Sequence, residues 1–366
     1  MRRRILIYGA TGYTGRLIAE RARNSRCAAI VAGRTASLVQ TLASTLGVSA
    51  RVVALDEPDA LDQALGDICV VINAASPFAQ TARPIIEACL RTRTHYLDIA
   101  GELPAFQDAH SYDDAARECG VMIMPGVGLG IVASDCLAMH VAALVPNAKY
   151  LRIGLARPDL ISRGSLRTVL AMADSHVSVR RNGRLISLPA GRLQRAFDYG
   201  DGERQSVSVS WADIFTAYYS TGIRNIEAYI QADLPSRTLY QLTVGIADAL
   251  RYPPIQRFLS VAAEAWPEGP SALQRRDEMC IIVAEAEDSW RRRRCARLKT
   301  LDGYSFTAQA SMAIAKRVVL GEFIPGFQTP GKLYGANFVL GLEGSHREDL
   351  FEPFPPMPLD NTRICS

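Results

Sequence analysis

An α/β protein with a doubly wound parallel sheet, followed by a second, α+β domain built on a mainly antiparallel sheet, is the architecture that the 366-residue sequence predicts. Three observations carry it. A short apolar run from Arg4 to Tyr8 ends in Gly9-Ala-Thr-Gly12-Tyr-Thr-Gly15 and passes directly into helical periodicity. Short hydrophobic strands then alternate with helical segments to about residue 130. Past Gly130 strand-like runs dominate, and the chain is longer than one hydrophobic core normally serves.

The elements follow in order. The first strand breaks at Gly9, and Leu17, Ile18 and Ala22 mark the apolar stripe of the helix packed on it. A second strand, Ala28 to Ala32, ends in Gly33-Arg34-Thr35, and a helix from Ser37 to Leu46 comes next. Strand 50–55 places Asp56 at its carboxyl end, and Pro58 opens a helix to Leu65. Strand Ile68 to Asn73 leads into the tight segment Ala74-Ala75-Ser76-Pro77, with a helix from about Thr81 to Thr92. Strand Thr94 to Asp98 ends in Ile99-Ala-Gly101-Glu102, then helix 112–119 and strand 121–125 complete six strands. With right-handed crossovers this is a Rossmann-type doubly wound parallel sheet.

In the second half a helix is expected to open at Ser134-Asp135, with Ser134 as its N-cap, and to run through Leu144. Strands are expected at 149–156, 207–211, 225–231, 278–285 and 292–298, and helices at 167–173, 238–250 and 255–263, the last two separated by Pro253-Pro254. The expected domains are therefore 1–130 and 131–325, with 326–350 packing back on the first domain and a Pro-rich extended tail at 351–366.

The glycine turn carries chemistry. Gly9 permits the tight turn, Gly12 lets backbone N–H groups approach a pyrophosphate, and Gly15 allows close helix–strand packing. The helix N-terminus attracts the negative charge. Arg34 lies nineteen positions after Gly15, where an NAD site would place Asp or Glu on the ribose 2′-hydroxyl. A guanidinium there pairs with phosphate, so NADP(H) is the expected cofactor. Ligands of such sheets lie beyond the strands' carboxyl ends. The cofactor-binding residues are thus expected to be Gly9, Ala10, Thr11, Gly12, Tyr13, Thr14, Gly15, Gly33, Arg34, Asp56, Asn73, Ala74, Ala75 and Ser76.

Composition narrows the class. A formal charge of +4, with Lys149, Lys299, Lys316 and Lys332 as the only lysines, points to no nucleic-acid partner. The eight cysteines are scattered without a Cys-x-x-Cys pair, so reduced thiols and no metal site are expected. No signal-like h-region and no apolar stretch of membrane-spanning length occurs, which predicts a cytoplasmic protein without a transmembrane segment.

At this point Gly9 to Gly15, Ala32-Gly-Arg34, His95 to Glu102, Pro125-Gly-Val-Gly128 and Ser134-Asp135 together resemble the saccharopine dehydrogenase-like oxidoreductases, most closely their trans-acting enoyl reductase branch. The resemblance continues at Thr216 to Gly222, Gly269-Pro-Ser-Ala272 and Gly326 to Pro330, although Arg224 stands where the family pattern has proline. It implies NADPH-dependent hydride transfer to an activated C=C of a small or acyl-carrier-bound substrate. Imine or opine-type C=N reduction, with Arg152, Arg157 or Arg167 clamping a substrate carboxylate, is the alternative, and a non-catalytic NADP-binding sensor or scaffold is a third. No tyrosine has a lysine four positions on, which excludes the short-chain dehydrogenase mechanism. The expected proton donors are Tyr218, Glu102 and Asp98, with Glu102 equally suited to holding its own turn. Trp211, Phe215, Tyr219 and Ser220 are expected to line the substrate pocket or, alternatively, to form core or a homodimer surface.

Overall fold

The computed structural model describes residues 3–25, 27–156, 162–164, 166, 176–232 and 265–350. The first layer system contains β1 (Arg4–Tyr8), α1 (Tyr13–Asn24), β2 (Ala29–Gly33), α2 (Ala36–Leu46), β3 (Ser49–Val52), α3 (Pro58–Leu65), β4 (Ile68–Asn73), α4 (Phe78–Thr92), β5 (His95–Asp98), α5 (Leu103–His110), α6 (Asp113–Cys119) and β6 (Met122–Met124). Its strands pair in parallel in the order β3-β2-β1-β4-β5-β6, the doubly wound arrangement. Register places Ile5 to Tyr8 beside Ala29 to Ala32 on one side and Val70 to Asn73 on the other. Ile5, Leu6, Ile7, Val70, Val71 and Ile72 are buried, as strands covered on both faces require.

The second half adds α7 (Leu129–Leu144), β7 (Tyr150–Leu155), β8 (His176–Arg181), β9 (Arg184–Pro189), β10 (Gln194–Asp198), β11 (Glu203–Ser208), α8 (Asp213–Thr221), β12 (Asn225–Gln231), α9 (Ala272–Asp277), β13 (Met279–Glu287), β14 (Arg293–Leu301), α10 (Gly303–Val319), β15 (Gly326–Phe327), α11 (Pro330–Tyr334) and β16 (His346–Leu350). Its sheet runs β10-β11-β12-β7-β13-β14-β16, with β8 bridging β12 and β9. Every pairing in it is antiparallel except that of β12 with β7. α7 packs against one face of this sheet.

The return of the chain divides. β15 pairs in parallel with β6, making the first sheet seven-stranded, whereas β16 pairs with β14 in the second sheet. α10 packs against α1, β4 and β5, so the chain regains the first sheet before residue 326. Asp302 starts that helix by accepting from the Tyr304 and Ser305 N–H groups.

Three departures from the predicted elements have local causes. α7 opens at Leu129 with Gly128 as its N-cap, and Ser134 lies inside it, its hydroxyl returned to the Gly130 carbonyl at 2.8 Å, so Ser134 is not a cap. α5 follows β5 almost at once, with Pro104 in its first turn and Leu103, Ala105, Phe106 and Ala109 as its buried stripe. The β8–β9 hairpin turns at Asn182-Gly183, both at positive φ (49° and 83°), the two-residue turn that this dipeptide favours. The helices expected at 167–173, 238–250 and 255–263, Pro253-Pro254 and the tail from 351 lie outside the described residues.

Candidate functional site: the carboxyl edge of the parallel sheet

Gly9 ends β1 at φ +76°, and a Cβ there would stand 2.7 Å from the Ala75 nitrogen, so only glycine lets the two loops meet. Its N–H and that of Ala10 donate to Ala32 O at 3.0 and 3.3 Å, and Ala10 is buried beneath the turn. At Gly15 a Cβ would come within 2.9 Å of Ala10 Cα, which is the close helix–strand packing the motif requires. Gly12 is exposed as the N-cap of α1, and an added Cβ would find nothing nearer than Gly9 O at 3.4 Å, so the space before the helix is open. Thr11, Tyr13 and Thr14 are half-buried along the same turn. No acidic residue stands in the first turn of α1 to compete for its positive end.

At the next strand end, Gly33 is buried against Val39 and Arg34 is exposed. Among the described residues Arg34 makes no ion pair, leaving its guanidinium for an outside anion. Arg34 and Asp56 both act electrostatically on Tyr8, whose phenol burial pushes up and Arg34 draws back, so the ends of β2 and β3 flank one corner. An exposed cation, an acid-free helix N-terminus and a glycine-lined opening fit a phosphate-bearing dinucleotide.

The floor of the cleft is a buried polar network. Asn73 donates to Thr81 Oγ1 at 3.1 Å and Tyr96 Oη at 3.3 Å, while its Oδ1 accepts the Ala75 N–H at 3.0 Å. Tyr96 donates to Asp98 Oδ2 at 2.8 Å, and Asp98 Oδ1 accepts from Ala100 and Gly126 at 2.9 and 2.8 Å. One hub thus fixes the loops after β4, β5 and β6. Burial raises Asp98 to about 6 against the pull of these donors. Asp98 is fully enclosed, so it is a strut for three loops and not the proton donor expected of it. Asn73 likewise holds the 74–76 loop from within, leaving Ala74, Ala75 and exposed Ser76 as the cleft wall. The Tyr96 hub was missed in the sequence; its alternation with His95 and Leu97 reads as ordinary strand.

Glu102 is half-buried at the end of β5, its Oε2 accepting the Gly101 N–H at 3.0 Å. Its backbone bridges to Trp211, and Ala212 N–H donates to Gly101 O at 3.2 Å. The cleft and the aromatic segment therefore meet at Glu102 and half-buried Trp211. The rest of the segment turns inward. Phe215 is buried in a ring cluster with His110, Tyr219 and Phe327, at centroid distances of 5.7, 5.0 and 5.9 Å. Ser220 donates to Asp135 at 2.7 Å and meets Thr329 at 2.6 Å, and Asp135 also accepts the Gly331 N–H at 2.7 Å. Phe215 and Ser220 thus serve packing and an internal lock, not a substrate pocket. Tyr218 lies six residues beyond Ala212, about 9 Å along the helix. Its ring is covered by the Arg180 guanidinium at 4.2 Å, itself bonded to Ile214 O and Gly183 O. Its hydroxyl lies beside Gly183 of the β8–β9 hairpin. Arg224, at the position where proline was expected, closes the same hairpin through Asn182 O and Gly183 N–H.

Arg152, an expected carboxylate clamp, is bound to Glu285 at 2.7 Å and Glu287 at 2.8 Å on the second sheet. Its charge is already matched. Arg157 and Arg167 lie outside the described residues. The second domain reaches the glycine turn by another route, which the sequence did not reveal: Tyr13 contacts the segment 269–275, and Gly164 lies beside Ser76.

Residues 5–124 match the family model described as saccharopine dehydrogenase NADP binding domain. The first domain is thus an NADP-binding domain of that type. A trans-acting enoyl reductase of Mycobacterium leprae is 33% identical over 141 residues, covering 36% of this chain and 33% of the relative. A saccharopine dehydrogenase-like oxidoreductase of Rattus norvegicus is 26% identical over 153 residues, 36% of this chain and 35% of the relative. The similarity therefore spans about a third of either relative's length. Among solved structures, apo histidine-tagged saccharopine dehydrogenase (L-Glu forming) from Saccharomyces cerevisiae shares the fold over 95% of this chain and 100% of that one, with a TM-score of 0.60 at 15% identity. Among the described residues no helix is long and apolar enough to cross a membrane.

Proposed function

We propose that the protein is an NADPH-dependent oxidoreductase that reduces an activated C=C of an enoyl-type substrate. The observation that carries the reading is Arg34, exposed and without an ion-pair partner among the described residues at the β2 end, in register with a glycine turn whose helix N-terminus holds no acid. The backbone of Gly9 to Gly15 would hold the pyrophosphate, Arg34 the adenosine phosphate, Asp56 the flank of that corner, and Ala74 to Ser76 the opposite wall. NADPH when bound supplies a hydride for an electrophilic carbon.

The chain's own residues orient, exclude water and manage a proton. Glu102 is the member of the expected donor set retained here, because it stands at the end of β5 against Trp211, where cleft and second domain meet. Its carboxyl would deliver the proton to the substrate carbon or enolate oxygen, and Trp211 would present the apolar wall. C=C reduction is preferred to C=N reduction because Arg152 is committed to Glu285 and Glu287. The enoyl reductase names of several relatives favour the same reading. An acyl-carrier-bound substrate, a homodimer and a cytoplasmic location belong to this proposal as well.

The test is a pair of titrations. NADPH should bind more tightly than NADH, and Arg34→Asp should weaken NADPH binding about 10–100-fold, the scale of a lost bidentate phosphate contact, while sparing NADH. Tighter binding of NADH by the unmodified protein would overturn the cofactor preference. Consumption of NADPH that requires an amine plus a keto acid, with none on a 2-enoyl thioester, would replace C=C by C=N reduction.

A further inference from the structure

The phosphate-binding turn works through its backbone, yet one of its side chains is engaged elsewhere. Tyr13, the first residue of α1, donates its phenol to the Pro270 carbonyl and accepts from Arg275 Nη1 at 2.6 Å. The same Nη1 reaches Pro270 O at 3.0 Å, so three groups close on one another. The Tyr13 ring stands edge-on to Tyr304, centroids 5.0 Å apart, and the Arg275 guanidinium lies 5.8 Å from its centroid. Burial raises the phenol above its ordinary value while Arg275 opposes the rise, so the hydroxyl stays protonated and able to donate.

The partner segment is shaped for this contact. At Gly269 a Cβ would stand 2.6 Å from the Tyr13 ring carbons, so the chain passes flat across the ring only because that residue is glycine. Ser271 and Gln274 then cap α9 reciprocally, at 3.3 and 2.8 Å, which holds Arg275 on the side facing Tyr13. The Arg163 N–H ties the neighbouring strip to the Pro267 and Glu268 carbonyls at 3.2 and 3.3 Å, and Gly164 lies beside Ser76 on the opposite wall of the cleft. Residues 269–275 therefore contact Tyr13 on one side of the phosphate-binding opening, and Gly164 lies near Ser76 on the other.

We propose that Tyr13 and Arg275 form a clasp that couples dinucleotide binding to the seating of residues 266–275, with Arg275 a positioning residue acting through Tyr13. The proposal rests on the cofactor reading above. Seating the segment orders the first turn of α1, the turn that receives the phosphates, and linkage makes the effect reciprocal: a bound nucleotide must hold the segment down to the same degree.

The experiment pairs NADPH titration with backbone hydrogen exchange on the full chain. In the unmodified protein, saturating NADPH should slow exchange of amides in 268–276. Tyr13→Phe, Arg275→Gln and Gly269→Ala should each weaken NADPH binding about tenfold, within the 5–150-fold range typical of coupled sites, and abolish that protection. The double variant Tyr13→Phe/Arg275→Gln should be no weaker than the weaker single variant, because both remove one contact. Arg275→Lys, which keeps a donor and a charge, should recover part of the loss, a rescue that a merely structural role would not produce. If Gly269→Ala fails to fold, Tyr13→Phe, which removes a single oxygen, carries the test. Binding within twofold of the unmodified protein in Tyr13→Phe and Arg275→Gln, with protection of 268–276 retained, overturns the clasp and leaves the cofactor reading standing. Absence of NADPH binding by the unmodified protein overturns both.

Discussion

Around Gly12 the turn before α1 opens toward the cleft, and in α8 the side chains of Phe215 and Ser220 face the interior. The turn sits at a helix N-terminus and needs Gly9 and Gly15 to lack a Cβ, which would collide with Ala75 and Ala10. The helix uses its N–H groups on itself and commits Phe215 to a ring cluster and Ser220 to Asp135. The lesson is that a site made of backbone is specified by what its residues lack, whereas a site made of side chains competes with packing for the same residue types. Changes in the turn should therefore act on binding, and changes in α8 on stability.

The largest effect should come from Gly15→Val. Its Cβ would meet Ala10 Cα at 2.9 Å, so α1 must move off β1, and NADPH affinity measured by calorimetry should fall at least about 100-fold, or the domain should fail to fold. Retained affinity would break the contrast outright. Tyr96→Phe comes next. It leaves buried Asp98 and Asn73 each short of a partner, which costs about 1–3 kcal/mol and should appear as a lower denaturation midpoint.

A pH series then sharpens the second half of the contrast. Burial raises Asp213 to about 7 and Asp135 to about 6, from an ordinary 3.8. The folded state thus binds these protons more tightly than the unfolded chain, so their stability contribution is full below about pH 4 and lost as pH rises through 6 to 7. Asp213→Asn should gain stability relative to the unmodified protein between pH 5 and pH 8, by about 1–2 kcal/mol, in thermal melts. Parallel pH profiles would show that Asp213 does not titrate in that window. Ser220→Ala should cost about 1 kcal/mol by removing a donor from Asp135, with NADPH affinity within twofold. A tenfold affinity change at constant stability would return Ser220 to the cleft. The smallest effect belongs to Tyr218→Phe, which keeps the ring under Arg180 and should shift stability by less than about 0.5 kcal/mol.

Much of the first domain was legible because short continuous apolar runs, helical periodicity and glycine chemistry are local signals. The turn, the β1–β2 pairing and the placement of Arg34 follow from residues within about forty positions of one another, whereas β1 meets β4 through partners as far apart as Ile5 and Val70. Asp98 was placed at the right strand end and given the wrong task, since nothing local shows that Tyr96, Ala100 and Gly126 would enclose it. Ser134 looks like a cap in isolation, and only the apolar continuation from Leu129 carries the helix past it. The Asn182-Gly183 hairpin was readable from its dipeptide and went unread. Tyr13 could not have been assigned its contact, because Pro270 and Arg275 lie more than 250 residues away.

The two-residue strand Gly326–Phe327 has a consequence for the order of synthesis. β6 ends at Met124, and its outer neighbour arrives only after the whole second sheet except β16 has been made. At translation rates of about 5–20 residues per second, that interval lasts on the order of 10–40 s. During it the nascent first domain displays an unpaired edge at β6, a template to which other strands can add. A segment made late thus seals the edge of the domain made first.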